Sequence, residues 1–192
     1  GVSANTITLL GLLCVICGLS LLSCSNFLLG FIFLNLAILL DNIDGHVARC
    51  RGEASLFGAL FDELVSWCHF SLLPICLALG LFQSHPEAVI FPFAPLLPSW
   101  SWFVIGVVKL FSYLFAIVLG ERVELLVGEQ RALERSSSQP WVVFAKGLRE
   151  LESPLSLMAA ATGLLGVFFF GYACYQFSVL LYAIGRALRD MQ

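Results

Sequence analysis

Six apolar runs occupy most of this 192-residue chain, and they leave very few folds open to it. They span residues 6–24, 27–43, 57–82, 100–120, 155–170 and 172–187. A run of about 20 apolar residues is the length of helix that crosses a hydrocarbon core. In lipid the backbone must satisfy its own polar groups, so such runs become helices. The composition agrees: 59% of residues are hydrophobic and 12% are charged, with a mean hydropathy of +0.93. An ordinary soluble domain has about twice that share of charge. The expected fold is all-α: one polytopic membrane domain over residues 1–192, with six transmembrane helices around a polar cavity. The chain begins at Gly1, which suggests a shortened N-terminus, and residues 6–24 lack the charged leader and cleavage site of a signal peptide.

The links between runs carry the remaining information. Residues 85–99 hold four prolines and read as an interfacial loop. Residues 121–153 form the long charged stretch, with a flexible centre at 136–140 and an amphipathic interfacial helix expected over 141–151. The division between the last two runs is expected at Gly171. Arg49, Arg51, Arg122, Arg131, Arg135, Lys146, Arg149, Arg186 and Arg189 fall on one side of this six-helix topology. The positive-inside rule makes that side cytoplasmic. Nothing points to nucleic acid, because no basic patch alternates with aromatics. The seven cysteines sit mostly within apolar runs. The Cys14–Cys17 pair has no second ligand pair beside it, so it reads as small buried hydrophobes.

Against that background, charge inside the runs stands out. Asp41, Asp44, Gly45 and Ala48 are spaced i, i+3, i+4 and i+7, which places them on one helix face. Gly58, Asp62 and Ser66 share a face of the next helix at i, i+4 and i+8. Ionisable residues at membrane depth are costly and mark functional sites. Three carboxylates together suit a divalent metal that prefers oxygen ligands, and through it a phosphate. Each residue also has a plainer reading. The aspartates could be solvated at helix ends, the arginines could set topology, and Gly58 could be a helix contact. His69, three residues beyond Ser66, could be a proton acceptor, a metal ligand or a hydrogen-bonded interior residue. Lys109, inside the fourth run, could snorkel, pair with a carboxylate or hold an anionic acceptor. Asn35 reads as a hydrogen bond to a neighbouring helix.

The pattern Asp41-x2-Asp44-Gly45-x2-Ala48-Arg49-x8-Gly58-x3-Asp62-x3-Ser66 resembles the motif of the CDP-alcohol phosphotransferases. Seven of its eight positions match with the spacing kept. The resemblance extends to the six runs and to the opening segment around Asn5 and Thr8. It implies transfer of a phosphatidyl or other substituted phosphate group from a CDP-linked donor to a small alcohol, with release of CMP, in phospholipid synthesis. It implies Mg²⁺ or Mn²⁺ held by Asp41, Asp44 and Asp62. It further implies a nucleotide bound near Asp41, Gly45, Ala48, Arg49 and Gly58. Membrane lipids are the other partners, and the family often dimerises. The eighth position departs from the motif: Ser66 stands where the family has the aspartate taken as general base. Three readings follow: an active enzyme, a non-catalytic relative serving as a binding or structural subunit of a membrane complex, and an engineered variant of an active enzyme.

Overall fold

Three of the described helices end where a residue turns the backbone left-handed: Ser25 after the first, Gly52 after the second and Gly163 after the fifth. The computed structural model describes residues 4–52, 55–84, 87–88, 97–98, 100–127 and 140–190. Among them are six helices: α1 (Ala4–Ser23), α2 (Phe27–Arg51), α3 (Leu56–Ser84), α4 (Ser101–Val127), α5 (Pro140–Ala161) and α6 (Leu165–Asp190). Between α3 and α4, a two-residue strand β1 (Glu87–Ala88) pairs antiparallel with β2 (Leu97–Pro98). The rest of that proline-rich loop, and the serine-rich centre over 136–139, lie outside the described residues.

The first four expected helices are present, with α2 running further than its apolar run. The last two differ from expectation. The 141–151 helix and the start of the fifth run are one continuous helix, α5, and α6 passes straight through Gly171. The break falls at Gly163, whose φ is +73°. There the Leu164 amide donates to the Ala159 carbonyl and the Gly163 amide to the Ala160 carbonyl. These two bonds are the Schellman closure of a helix end, which favours glycine at the left-handed position. Gly171 has no such requirement, and its neighbours carry the helix on.

Among the described residues four helices are long and apolar enough to cross a membrane: Asn5–Ser23, Phe27–Arg51, Leu56–Ser84 and Leu165–Gly185. Ser101–Phe115 of α4 is a shorter apolar stretch. With its exterior lined by leucine, isoleucine and phenylalanine, this is an integral membrane protein. Leu13, Ile16, Leu39, Leu60, Phe115 and Leu181, for example, are all more than half exposed. In water such a surface would aggregate; in lipid it meets its own kind.

Without a hydrophobic drive between helices, close packing of small residues holds the bundle together. Helix α1 lies against α2 and α3, α4 against α3 and α6, and α5 against α2 and α6. Where α1 crosses α2, a Cβ on Gly18 would come within 3.0 Å of the Gly30 carbonyl oxygen, and one on Gly30 would come equally near the Gly18 carbonyl. Where α3 passes α1, a Cβ on Gly80 would sit 2.0 Å from the Leu22 carbonyl oxygen, an impossible approach. Phe31, Leu34, Leu77, Leu81, Trp102 and Phe169 fill the space between the helices. Asn35 of α2 donates to the Phe31 carbonyl at 2.8 Å and to the Ser153 carbonyl of α5 at 3.4 Å, the interhelical bond expected of it. These close crossings hold the end of the bundle away from the aspartates; at the aspartate end α1 meets α2 at Gly11, where a Cβ would stand 3.8 Å from Leu40 Cβ and 3.9 Å from the Ala37 carbonyl oxygen.

Candidate active site

The polar residues of the motif converge because α2 and α3 are antiparallel and both are held by α1. Asp41 and Asp62 lie within hydrogen-bonding reach of each other across the α2–α3 gap. Asp44 is close enough to both to act on them electrostatically. Two carboxylates side by side repel unless a proton or a cation lies between them. One oxygen of Asp62, Oδ1, is buried with no hydrogen-bond partner among the described residues. A buried carboxylate oxygen without a donor is expensive, and a cation is the usual remedy.

Asp44 is the most buried of the three, at 5% exposure. Its Oδ2 accepts a hydrogen bond of 2.5 Å from the Thr8 hydroxyl of α1. The next residue, Gly45, makes room for an arginine. A Cβ there would stand 3.4 Å from Arg49 Nη1, so the guanidinium lies folded back along α2 toward the aspartates. Gly58 faces Asn5 of α1, whose Oδ1 is 3.6 Å from where a Cβ would be, and the Gly58 amide donates to Ser55 Oγ at 3.0 Å. Ala48 is half-buried on the same face of α2.

A cavity of about 350 Å³ opens among these helices. Thr8, Gly11 and Val15 line it from α1, Ala37, Ile38, Asp41, Asn42 and Asp44 from α2, and Val65, Ser66, His69 and Phe70 from α3. Ser66 therefore faces the cavity. His69 lies one turn further along α3, roughly 10 Å along the axis from Asp62. It is buried and its ring stacks on Phe70, with centroids 4.7 Å apart. The cavity is thus carboxylate-lined at one level and aromatic at the next.

The donor set suits a hard divalent cation, since carboxylate oxygens are its preferred ligands. In this structure the arrangement is a facing pair with a third carboxylate beside it. Among the described residues, no three acidic, histidine or cysteine side chains close around a single point.

Lys109 is placed elsewhere. It is buried, forms an ion pair with Glu152 of α5, and sets its ammonium over the Tyr172 and Phe169 rings of α6, 4.8 and 5.2 Å from their centroids. It does not line the cavity. Of its expected alternatives, pairing with a carboxylate is what the structure shows. Sequence reasoning did not anticipate Thr8 as a wall of the site or Glu152 as the partner of Lys109. The threonine had a faint signal, as a polar residue near the start of an otherwise apolar helix. The glutamate had none, because it sits among other charges.

This geometry defines a carboxylate-lined cavity between the helices of an integral membrane protein. The sequence matches the family described as CDP-alcohol phosphatidyltransferase over residues 2–185, and the chain belongs to that family. It is 30% identical over 131 residues to a CDP-diacylglycerol–serine O-phosphatidyltransferase of Encephalitozoon cuniculi (strain GB-M1). That match covers 60% of this chain and 32% of the relative, so the chain spans about a third of the relative's length. No solved structure matches it.

Proposed function

We propose that the chain catalyses transfer of a phosphatidyl or other substituted phosphate group from a CDP-linked donor to an alcohol acceptor, releasing CMP, in phospholipid synthesis. The observation that carries this reading is the facing Asp41–Asp62 pair with its orphaned oxygen, at membrane depth, in a chain of this family. A divalent ion, Mg²⁺ or Mn²⁺, held by Asp41, Asp44 and Asp62 would neutralise the donor pyrophosphate and the leaving CMP. Gly45, Ala48 and Gly58 leave the helix surfaces bare enough for the nucleotide to approach the backbone. Arg49 pairs with a phosphate oxygen of the donor. In the reaction the acceptor oxygen bonds to the phosphorus carrying the lipid, and the bond from that phosphorus to the CMP oxygen breaks. The acceptor proton passes to a base.

Ser66 occupies the base position, and a neutral hydroxyl does not serve as a carboxylate base. His69, on the same cavity wall, is the ring that takes the proton in this reading, directly or through cavity water. Phosphoryl transfer rests largely on positioning and electrostatics, so the weaker base slows the reaction without abolishing it. The basic residues at this end of the bundle support a cytoplasmic site. Serine is the first acceptor to test, because it is named in the relative's activity. A second reading, a non-catalytic relative that binds the donor within a membrane complex, draws on Ser66 alone.

The test is CMP release from a CDP-linked lipid with Mg²⁺ or Mn²⁺ and a panel of alcohols that includes serine, comparing the chain with Ser66→Asp and His69→Gln. Turnover in the parent that His69→Gln lowers by about 10²–10⁴ supports the enzyme reading with His69 as base. Turnover only in Ser66→Asp supports the non-catalytic one.

A further inference from the structure

Hydroxyl groups in membrane helices usually bond to their own backbone, and several do so here. Ser20, Ser23, Thr162 and Ser178 each donate to the carbonyl four residues earlier. Thr8 reaches across instead to another helix, 36 residues away in sequence, and donates to Asp44 Oδ2 at 2.5 Å. Both residues are buried, and Thr8 lines the same cavity as Asp41 and Asp44.

The choice of donor is informative. A buried carboxylate needs a partner. A lysine or arginine would satisfy it but would also cancel the charge that attracts a cation. A threonine hydroxyl orients the carboxylate and leaves its full negative charge in place. Threonine is also stiff about χ1, so its hydroxyl has few directions to point. Its helix lies against α2 one turn further on, where a Cβ on Gly11 would stand 3.8 Å from Leu40 Cβ and 3.9 Å from the Ala37 carbonyl oxygen, which keeps the donor beside the acceptor.

We propose that Thr8 is a positioning residue: it holds the Asp44 carboxylate in the orientation that binds a divalent cation, and α1 thereby forms part of the metal site. The proposal rests on the reading in which Asp44 is a metal ligand. Partners that orient a ligand in this way typically contribute 10–100-fold to metal affinity.

The test is Mn²⁺ affinity of the purified full chain in detergent, read by electron paramagnetic resonance without donor, for Thr8→Val, Thr8→Ser, Thr8→Ala and Asp44→Asn. The expected result is about a 10-fold weaker Mn²⁺ affinity in Thr8→Val, recovery in Thr8→Ser, and a larger loss in Asp44→Asn. Turnover should fall in Thr8→Val at saturating acceptor while the acceptor KM stays near the parent value. If Thr8→Val does not fold, the Thr8→Ser and Thr8→Ala pair makes the same comparison, differing only in the hydroxyl. Parent-like Mn²⁺ affinity in both hydroxyl-free variants, with loss in Asp44→Asn, overturns the role of Thr8 and leaves the metal reading standing. Parent-like affinity in Asp44→Asn overturns the metal reading itself and this inference with it.

Discussion

Replacing Lys109 by methionine should destabilise the protein far more than it impairs the site. Lys109 and Glu152 are 2% and 3% exposed, so removal of either leaves the other as an uncompensated charge in the bundle interior. Breaking a buried pair in this way costs about 3–5 kcal/mol. The loss of the ammonium over Tyr172 and Phe169 adds roughly 0.5–2 kcal/mol. Glu152→Gln should therefore destabilise by a similar amount, less the ring contribution. The double variant Lys109→Met/Glu152→Gln should be clearly more stable than the sum of its parts predicts, with a coupling of about 0.5–3 kcal/mol. Thermal or denaturant unfolding in detergent measures the cycle. Additive losses, with no coupling, would refute the pairing argument. A steep rise in acceptor KM for Lys109→Met with none for Glu152→Gln would instead tie the lysine to an anionic acceptor.

Other perturbations test the remaining steps. Gly80→Val should prevent normal assembly, because even a Cβ would stand 2.0 Å from the Leu22 carbonyl; the yield of monodisperse protein in detergent checks it. Gly163→Ala should cost about 1–2 kcal/mol for a left-handed non-glycine residue, with nothing sterically in its way, and unfolding reports it. Asp62→Asn should weaken Mn²⁺ binding and, by removing one of two facing charges, stabilise the metal-free protein. A stability gain without metal and a loss with it is the combination to look for. Gly45→Leu should displace the Arg49 guanidinium and raise the donor KM more than the acceptor KM in steady-state kinetics.

The sequence alone determined the solvent and which polar residues share a helix face. Apolar runs of membrane length dictate helices whatever their partners, because lipid supplies no hydrogen bonds. Asp41, Asp44, Asp62 and their glycine and alanine neighbours were legible because helical periodicity is a local property. The family resemblance rested on the same residues. What tertiary structure decided is whatever depends on two helices at once. Gly163 rather than Gly171 ends α5, since the closing hydrogen bonds and the left-handed turn, not hydropathy, choose the stop. Lys109 meets Glu152 because α4, α5 and α6 share an interface that no local pattern announces. Thr8 enters the carboxylate site because α1 lies against α2, at Gly11 as at the Gly18–Gly30 crossing, in the register that sets residue 8 beside residue 44. A side chain's chemistry is written at its own position, but its partner is chosen by packing.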